Sequence, residues 1–302
     1  MMDDIILYEE RRRDMMKLWK DTFHDSDRYI RLIFDNYFSL ENSFVKYHEN
    51  RIIAALLCVD YEFQILTKEG KKQIRGMYLC GLATHPDWRR KGIMSSLMEE
   101  AENAAKSRGY EMTFLIPADD HLRMYYARKG YETLSWRRRL VENMRIDSSF
   151  ENPDKSHIYS IQDFLKRGQG EFLFLLAEWC RQIEEKRQCD TILHSVEDFI
   201  AIMEENENSI FFTDGSFDPE YPILAKVRGV AFPEVSEGFT DPLRIVGLYT
   251  QEKFKDDDNG SREEYIREPE GKGAEFVPEI FGDILKKFQK SNLELLLPYS
   301  GE

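Results

Sequence analysis

A short basic turn at residues 89–92, Arg-Arg-Lys-Gly, holds the residues of this sequence best suited to binding a ligand. The apolar run at 77–83 precedes it and has the length and composition of a buried strand. From Ile93 onward, apolar residues recur at helical spacing among strong helix formers. The amides of 90–94 therefore lie near a predicted helix N-terminus, where unpaired N–H groups and the positive end of the helix dipole favour an anion. The pattern predicts a phosphate site, and its three basic side chains would suit a diphosphate.

Gly92 adds to this prediction, because glycine permits a backbone conformation or a close ligand approach that a side chain would block. Taken alone, the same residues also fit an ordinary strand-turn-helix junction with a solvated basic turn. The order of the surrounding helices and strands helps to decide between a phosphate site and such an ordinary junction.

The hydrophobic period predicts a succession of strands and helices around the turn. A short apolar start at 5–8 is interpreted as a strand, and helices follow at 11–22 and after Asp25 or Ser26, either of which can cap the second helix. Strands are predicted at 43–47, 52–60 and 78–84, ahead of the basic turn and the long helix. A strand at 112–116, a helix capped by Asp119 or Asp120, and a strand at 131–140 complete this half.

Two motifs in this order resemble those of the GNAT superfamily of N-acetyltransferases. Arg89-x-x-Gly92 is similar to the Gln/Arg-x-x-Gly-x-Gly/Ala loop that binds the pyrophosphate of acyl-CoA, except that Met94 occupies the final small position. Tyr126, four residues before Gly130, resembles the family's Tyr-x-x-x-Gly-Phe/Tyr signature. In style the chain is most similar to the tandem-domain acetyltransferases of the enhanced-intracellular-survival type, whose loops look like Arg-Arg-x-Gly-Leu-Leu.

The resemblance implies acetyl-CoA as co-substrate and gives roles to particular residues. Tyr126 would be the general acid that protonates the leaving thiolate; a tyrosine that only packs in the core is the alternative. The end of the strand would pair with the pantetheine arm, and the Leu82 amide would bind the thioester carbonyl oxygen. The cofactor-binding residues implied are Leu82, Ala83, Thr84, Arg89, Arg90, Lys91, Gly92, Ile93 and Met94.

The general base is left open by the sequence. The strand at 78–84 carries no carboxylate, although many GNAT enzymes place theirs there. A base must lie within hydrogen-bond reach of the amine, directly or through a water. The candidates by topology are Asp60, Glu62, Asp119, Asp120 and His121, each of which could instead be a helix cap or a surface group.

The second half repeats the opening of the first, and the polar segment at 143–156 predicts a boundary between domains 1–142 and 143–302. Helices at 171–185 and after Ser195 precede strands at 209–213, 222–232 and 243–250, a helix at 274–289 and a strand at 293–297. The loop at 267–274 carries Glu268 and Glu270, which would repel a diphosphate. This half is therefore interpreted as a degenerate GNAT-like domain without its own acyl-CoA site.

Composition excludes several classes of function. A formal net charge of -14 argues against a general nucleic-acid-binding role. No apolar run could span a bilayer and the first residues lack the features of a signal peptide, so a cytoplasmic protein without membrane contact is expected. The four cysteines form no Cys-x-x-Cys pair, which indicates reduced structural thiols and no metal.

The sequence favours an α/β (α+β) protein with the GNAT fold, a mixed central sheet flanked by helices, followed by the degenerate second domain. It favours an N-acetyltransferase that moves an acetyl group from acetyl-CoA to an amine by direct attack. The acceptor is a small-molecule or peptide amine. The alternative is a non-catalytic acyl-CoA-binding or interaction protein that keeps the fold.

Overall fold

The computed structural model describes residues 2–134, 137–143, 156–214, 218, 222, 224–234, 243–250 and 292–298. The chain forms two compact units. Unit 1 comprises Met1–Leu134 with Asp190–Leu193, and unit 2 comprises Ser135–Cys189 with His194–Glu302. Unit 1 thus ends ahead of the boundary predicted at residue 142, and the roles predicted for the two domains stay predictions.

Two helices open unit 1, α1 (Met2–Phe23) and α2 (Asp27–Tyr37). The strand predicted at 5–8 is wrong, because these residues form the first turns of α1, where Ile5 is 60% exposed. The charged stretch that follows them is rich in strong helix formers, so the helix extends through the apolar start. As predicted, Ser26 caps α2, and its side chain accepts a hydrogen bond from the Tyr29 amide at 3.1 Å.

The sheet of unit 1 has the order β1-β2-β3-β4, with β7 paired to β2 beyond the end of β1. Its strands are β1 (Ser43–His48), β2 (Arg51–Thr67), β3 (Gly70–Thr84), β4 (Met112–Phe114) and β7 (Thr191–Leu193). Only the β3–β4 pair is parallel, and the helix α3 (Ile93–Ser107) connects these two strands. The short helix α4 (Asp120–Ala127) follows β4. The predicted mixed sheet flanked by helices is confirmed.

Alternate side chains of β2 and β3 enter two different cores, which explains why β2 is apolar on both faces. Leu57 and Ala83 pack with Met15, Leu18 and Trp19 of α1 and with Phe34 of α2. On the other face, Leu56, Met77 and Leu79 pack with Leu97 and Met98 of α3 and Tyr126 of α4. The two cores hold the end of β3 and the start of α3 in fixed positions, which is what a site at their junction requires.

The described part of unit 2 contains a sheet of six strands in the order β5-β11-β10-β9-β8-β6, and among these strands only β10 and β11 pair in parallel. The helices at Gly170–Lys186 and Val196–Glu205 pack around a core that includes Phe172, Trp179 and Phe199. The strands are β5 (Arg137–Asn143), β6 (Ser156–Ser160), β8 (Ile210–Asp214), β9 (Val227–Glu234), β10 (Leu243–Thr250) and β11 (Asn292–Pro298). The helices are α5 (Ile161–Lys166), α6 (Gly170–Lys186) and α7 (Val196–Glu205).

Three predictions in this region differ from the structure. The strand expected at 222–232 begins only at Val227, because 224–226 form a single 3₁₀ turn. The strand expected at 131–140 begins only at Arg137, and it joins the sheet of unit 2 because it pairs with β11. Leu175 was expected on the inner face of α6 but is 42% exposed, while Leu173, Ala177 and Cys180 are buried. The predicted loop at 267–274 and helix at 274–289 lie outside the described residues.

None of the helices in the described part of the chain is long and apolar enough to cross a membrane.

Candidate active site

The candidate site begins where β3 and β4 separate. Tyr78 and Phe114 form the last pair of the parallel ladder. β3 continues to Thr84, still paired with β2. Among the described strands, none pairs with the other edge of residues 79–84. These residues therefore offer backbone N–H and C=O groups to an extended ligand, as an exposed sheet edge does.

A β-bulge lies within this free edge. Leu57 pairs with Cys80 and Ala55 with Ala83, so β3 holds one more residue than β2 between these pairs. Gly81 adopts φ +58°, and a Cβ added there would lie 2.1 Å from Cζ3 of Trp19. The bulge thus requires a glycine beneath the indole ring, and it sets the direction of the Leu82 backbone.

The turn after β3 has the geometry of an anion site. Arg90 and Gly92 both have left-handed backbones, with φ of +62° and +76°. The first α-helical hydrogen bond of α3 runs from the Ser96 amide to the Gly92 carbonyl at 3.0 Å. The amides of Ile93, Met94 and Ser95 therefore have no helical partner and lie at the positive end of the helix dipole.

The basic side chains of the turn are exposed around these amides. Arg89 is directed back toward the strand, because its Nε donates to the Thr84 carbonyl oxygen at 3.0 Å. The Lys91 ammonium lies 4.4 Å from the centroid of the Trp88 ring, a cation–π contact. The positive charge predicted from the sequence is thus present at the surface of the turn, beside the helix N-terminus.

Tyr126 lies near the end of α4, whose first turn is capped by Asp119 through a 2.7 Å hydrogen bond from the Leu122 amide. The tyrosine is 9% exposed and packs in the α3 core with Met77 and Leu79. Burial, and secondarily the neighbouring Tyr125, raise the pKa of the Tyr126 phenol. The hydroxyl is therefore protonated at neutral pH, as a proton donor must be.

The tyrosines on either side of Tyr126 are engaged elsewhere. The Tyr125 hydroxyl lies 3.1 Å from Ser95 Oγ, and the Tyr131 hydroxyl donates to Glu102 Oε1 at 2.7 Å. Within the described residues, the Tyr126 hydroxyl makes no hydrogen bond. Of the three, Tyr126 is the one whose hydroxyl is available to a ligand.

The candidates for a general base make contacts typical of structural or surface residues. Asp60 forms an ion pair with Arg75 at 3.2 Å, and Asp119 caps α4. Asp120 pairs with Arg123 at 3.1 Å on the surface, and Glu62 and His121 are exposed on the outside of unit 1. The structure therefore brings none of the five into contact with the proposed acid.

A cleft of about 490 Å³ opens on the α1 side of the turn. Its wall carries more carboxylates than basic side chains, so it is poorly suited to a diphosphate. The carboxylates are Asp14, Asp21, Glu49 and Asp87, and the basic side chains are Lys17 and Arg51, with His48 and His85 beside them. The backbone amides at the start of α3 are the better anion site.

The cysteines of the two cores have the character of packing residues. Cys58 is 1% exposed, and burial raises the pKa of its thiol to about 12. Burial likewise raises the pKa of the Cys80 thiol on β3. Both side chains are therefore neutral thiols, poor nucleophiles. Within the described residues, no group of three or more His, Cys, Asp or Glu side chains is arranged to bind a metal.

Two features of the site were missed in the sequence. Gly81 is an isolated glycine within an apolar strand, a pattern that indicates a bulge or a close approach of another group. The sequence alone therefore contained this signal. Tyr78 was interpreted only as part of a strand, although its ring lies where the two strands part. Its significance depends on Phe114, which is distant in sequence, so no local pattern indicates it.

The comparisons with known proteins agree with this geometry. Residues 6–134 match the family described as an acetyltransferase (GNAT) domain. No curated protein matches the chain by sequence.

Solved structures show a similar fold over nearly the whole chain. A probable N-acyltransferase from Enterococcus faecalis V583 is 10% identical with a TM-score of 0.62, covering 97% of this chain and 65% of that one. Eis1 from Mycobacterium abscessus is 12% identical with a TM-score of 0.58 and the same two coverages, 97% and 65%. A GCN5-related N-acetyltransferase from Anabaena variabilis is 13% identical with a TM-score of 0.57, covering 93% and 62%. The chain thus spans 62% to 65% of the length of these three structures.

The interpretation of the sequence as a GNAT protein with a mixed α/β fold is therefore confirmed. Residues 6–134 belong to the GNAT acetyltransferase domain family.

Proposed function

We propose that the chain is an N-acetyltransferase that uses acetyl-CoA as co-substrate and acetylates an amine by direct attack. The acyl-CoA site would lie in unit 1 and comprise Leu82, Ala83, Thr84 and the turn from Arg89 to Met94. Tyr126 would be the general acid. Unit 2 would be a degenerate GNAT-like domain that supports the first.

The observation that carries the proposal is the free edge of β3 leading directly into an unpaired helix N-terminus. An extended pantetheine arm can pair with residues 79–84 as an additional strand would. At the end of that edge, the amides of Ile93, Met94 and Ser95 and the left-handed backbone at Gly92 suit a diphosphate. A Cβ at Gly92 would meet no atom within 4 Å, so the space above the turn is open to a ligand.

The chain's own residues supply the remaining requirements of the reaction. The Leu82 amide, at the bulge, would hydrogen-bond the carbonyl oxygen as negative charge develops on it. The amine nitrogen forms a bond to the acyl carbon as the carbon–sulfur bond breaks. Tyr126 gives its proton to the sulfur, and the proton lost from the nitrogen restores the phenol through solvent.

Isothermal titration with acetyl-CoA, followed by an assay of CoA release with a panel of amines, tests this proposal. We expect binding and amine-dependent release of CoA. Failure to bind acetyl-CoA at millimolar concentration would refute the proposal. Binding without release for any amine would instead favour the non-catalytic acyl-CoA-binding alternative.

A further inference from the structure

A group of aromatic rings lies on the face of the unit 1 sheet that is opposite α3. We define this aromatic face as Tyr61, Phe63, Tyr78 and Phe114. Tyr78 stacks on Phe114 with ring centroids 5.3 Å apart, and Tyr61 lies 6.2 Å from Tyr78. Phe63 contacts Phe114 at 5.6 Å. Met77 and Leu79, which flank Tyr78, pack with α3, so Tyr78 is directed to the other side.

The aromatic face lies at the point where β3 and β4 separate. Tyr78 and Phe114 are the last paired residues before the free edge begins. Gly76 allows the Phe114 ring to lie across β3, because an added Cβ there would be 2.9 Å from Cε1 of Phe114. Tyr61, Tyr78 and Phe114 are each partly exposed, so part of each ring is accessible to a ligand beside the proposed acyl site.

The Tyr78 hydroxyl is the polar group of this face that remains available. Within the described residues it makes no hydrogen bond, although the side chain is half-buried. Burial is the first cause that raises the pKa of the phenol, and Cys80, Tyr29, Tyr61 and Tyr126 add to it. The hydroxyl is therefore neutral, and it can accept a hydrogen bond from an N–H group.

The carboxylates of β2, β3 and β4 are directed away from the aromatic face. Asp60 and Glu62 are the only acidic residues in the sequences of β2, β3 and β4, and they alternate with Tyr61 and Phe63 along β2. Their side chains therefore project from the opposite side of the sheet. Asp60 pairs there with Arg75, whose guanidinium lies 4.4 Å from the Tyr110 ring.

We infer that the aromatic face receives the acceptor, and that the acceptor is a primary amine carried on an aromatic group, bound as the neutral amine with its nitrogen at the Tyr78 hydroxyl. This inference rests on the proposed acetyl transfer. Flat rings stack favourably on Tyr61, Tyr78 and Phe114. The strands that carry these rings offer an ammonium group no carboxylate partner, and removal of an ammonium group from water favours its neutral form, which is the form that attacks an acyl carbon. An amine delivered in this form needs no general base from the chain, in accord with the contacts of the five candidates.

Steady-state kinetics with acetyl-CoA and three probe amines tests the inference on the full chain. The probes are 2-phenylethylamine, n-butylamine and spermidine. We expect kcat/KM for 2-phenylethylamine to exceed that for each of the other two by about tenfold or more, the effect of a stacked ring. A preference for spermidine or for n-butylamine would overturn the inference while leaving acetyl transfer intact.

The Tyr78→Phe variant tests the role of the hydroxyl while it keeps the ring. We expect kcat/KM for 2-phenylethylamine to fall about tenfold, from the lost hydrogen bond, with the Kd of acetyl-CoA unchanged. Tyr47→Phe is the matched control, because Tyr47 is 48% exposed on β1 and lies outside the aromatic face; its kinetics should equal those of the wild type. Wild-type kinetics for Tyr78→Phe would remove Tyr78 from the site.

A binding measurement separates failure of this inference from failure of the proposed function. Isothermal titration of 2-phenylethylamine into the protein saturated with CoA should show binding that weakens in Tyr78→Phe. If acetyl-CoA binds but 2-phenylethylamine does not bind at millimolar concentration, the aromatic acceptor is refuted alone. If acetyl-CoA itself does not bind, the proposed function fails first.

Discussion

Tyr126 joins two properties that a general acid needs, a protonated phenol and a hydroxyl with no hydrogen bond to the described residues. Replacement of Tyr126 by Phe should lower kcat by about 10²- to 10⁴-fold, the usual contribution of a positioned acid. The Kd of acetyl-CoA should change little, because the ring remains in the α3 core. Because burial raises its pKa, the acid form persists through neutral pH and is lost only above the ordinary tyrosine pKa of about 10. The decline of kcat should therefore lie on that alkaline side, and it should disappear in the variant.

Tyr125→Phe is the control for this experiment. Its hydroxyl contacts Ser95 at 3.1 Å, so its loss should cost about 1 kcal/mol of stability without a comparable loss of kcat. Equal losses of kcat in the two variants would show that disturbance of α4, and not proton transfer, is the cause.

At the scale of residues, the sequence identifies groups that depend on local context and misses those that depend on distant neighbours. The spacing of Tyr126 from Gly130 is local, and Gly130 does end the turn after α4 with φ +92°. Tyr78 is placed at the end of the ladder by its pairing with Phe114. A glycine is required at position 81 because the ring of Trp19, on a helix far away in the sequence, leaves no room for a Cβ there. Such contacts follow only from the pairing of strands and the packing of helices on them.

The proposed anion site in the turn before α3 is formed by backbone amides. A substitution that changes the backbone conformation without removing a functional side chain therefore tests it. Gly92 has φ +76° and open space at the Cβ position, so Gly92→Ala should introduce strain without a clash. A non-glycine residue in this conformation costs about 1 kcal/mol. A shift of the backbone to relieve that strain should misalign the amides and weaken acetyl-CoA binding about tenfold or more, as measured by isothermal titration.

Gly109 provides a matched control within the same helix. It follows the C-terminus of α3 with φ +79° and likewise has no atom within 4 Å of the Cβ position. Gly109→Ala should therefore cause a similar loss of stability in urea unfolding, with no change in acetyl-CoA affinity. Parallel changes of affinity in both variants would contradict a specific role for the turn.

At the scale of elements, the predictions succeeded where a periodic apolar pattern extends over many residues. They failed where a strand exists only through pairing with a distant strand. The helix α3 and the strands β1 to β3 were predicted because their apolar residues recur over many positions. The three-residue strand β7 was not predicted, since its register exists only through β2. The strand at β5 was predicted, with shifted bounds, but its sheet was not, because β11 lies over 140 residues later in the chain.

The whole molecule contains two units that hold polar groups in different ways. In unit 1 the hydroxyls of Tyr78 and Tyr126 make no hydrogen bond to the described residues. In unit 2 a carboxylate that is 2% exposed, Glu184 on α6, is closely surrounded by partners. It accepts hydrogen bonds from the backbone amide of His194 at 2.7 Å and from the Tyr249 hydroxyl at 3.2 Å, and it lies 3.0 Å from the His194 Nδ1. Burial, and then Glu184, raise the pKa of the Tyr249 phenol.

Glu184→Ala should therefore destabilise unit 2 strongly, because it leaves the His194 amide and the Tyr249 hydroxyl buried without their acceptor. Glu184 also forms an ion pair with Arg187, whose side chain is 18% exposed, and loss of one partner from such a buried ion pair costs about 3 to 5 kcal/mol. Glu178→Ala on the same helix is the control, since Glu178 is paired only with surface groups and the loss of such a pair costs about 0 to 1 kcal/mol. Hydrogen exchange of the α6 and α7 amides should show this difference directly. Similar exchange in the two variants would mean that Glu184 contributes no more to the core of unit 2 than a surface carboxylate does.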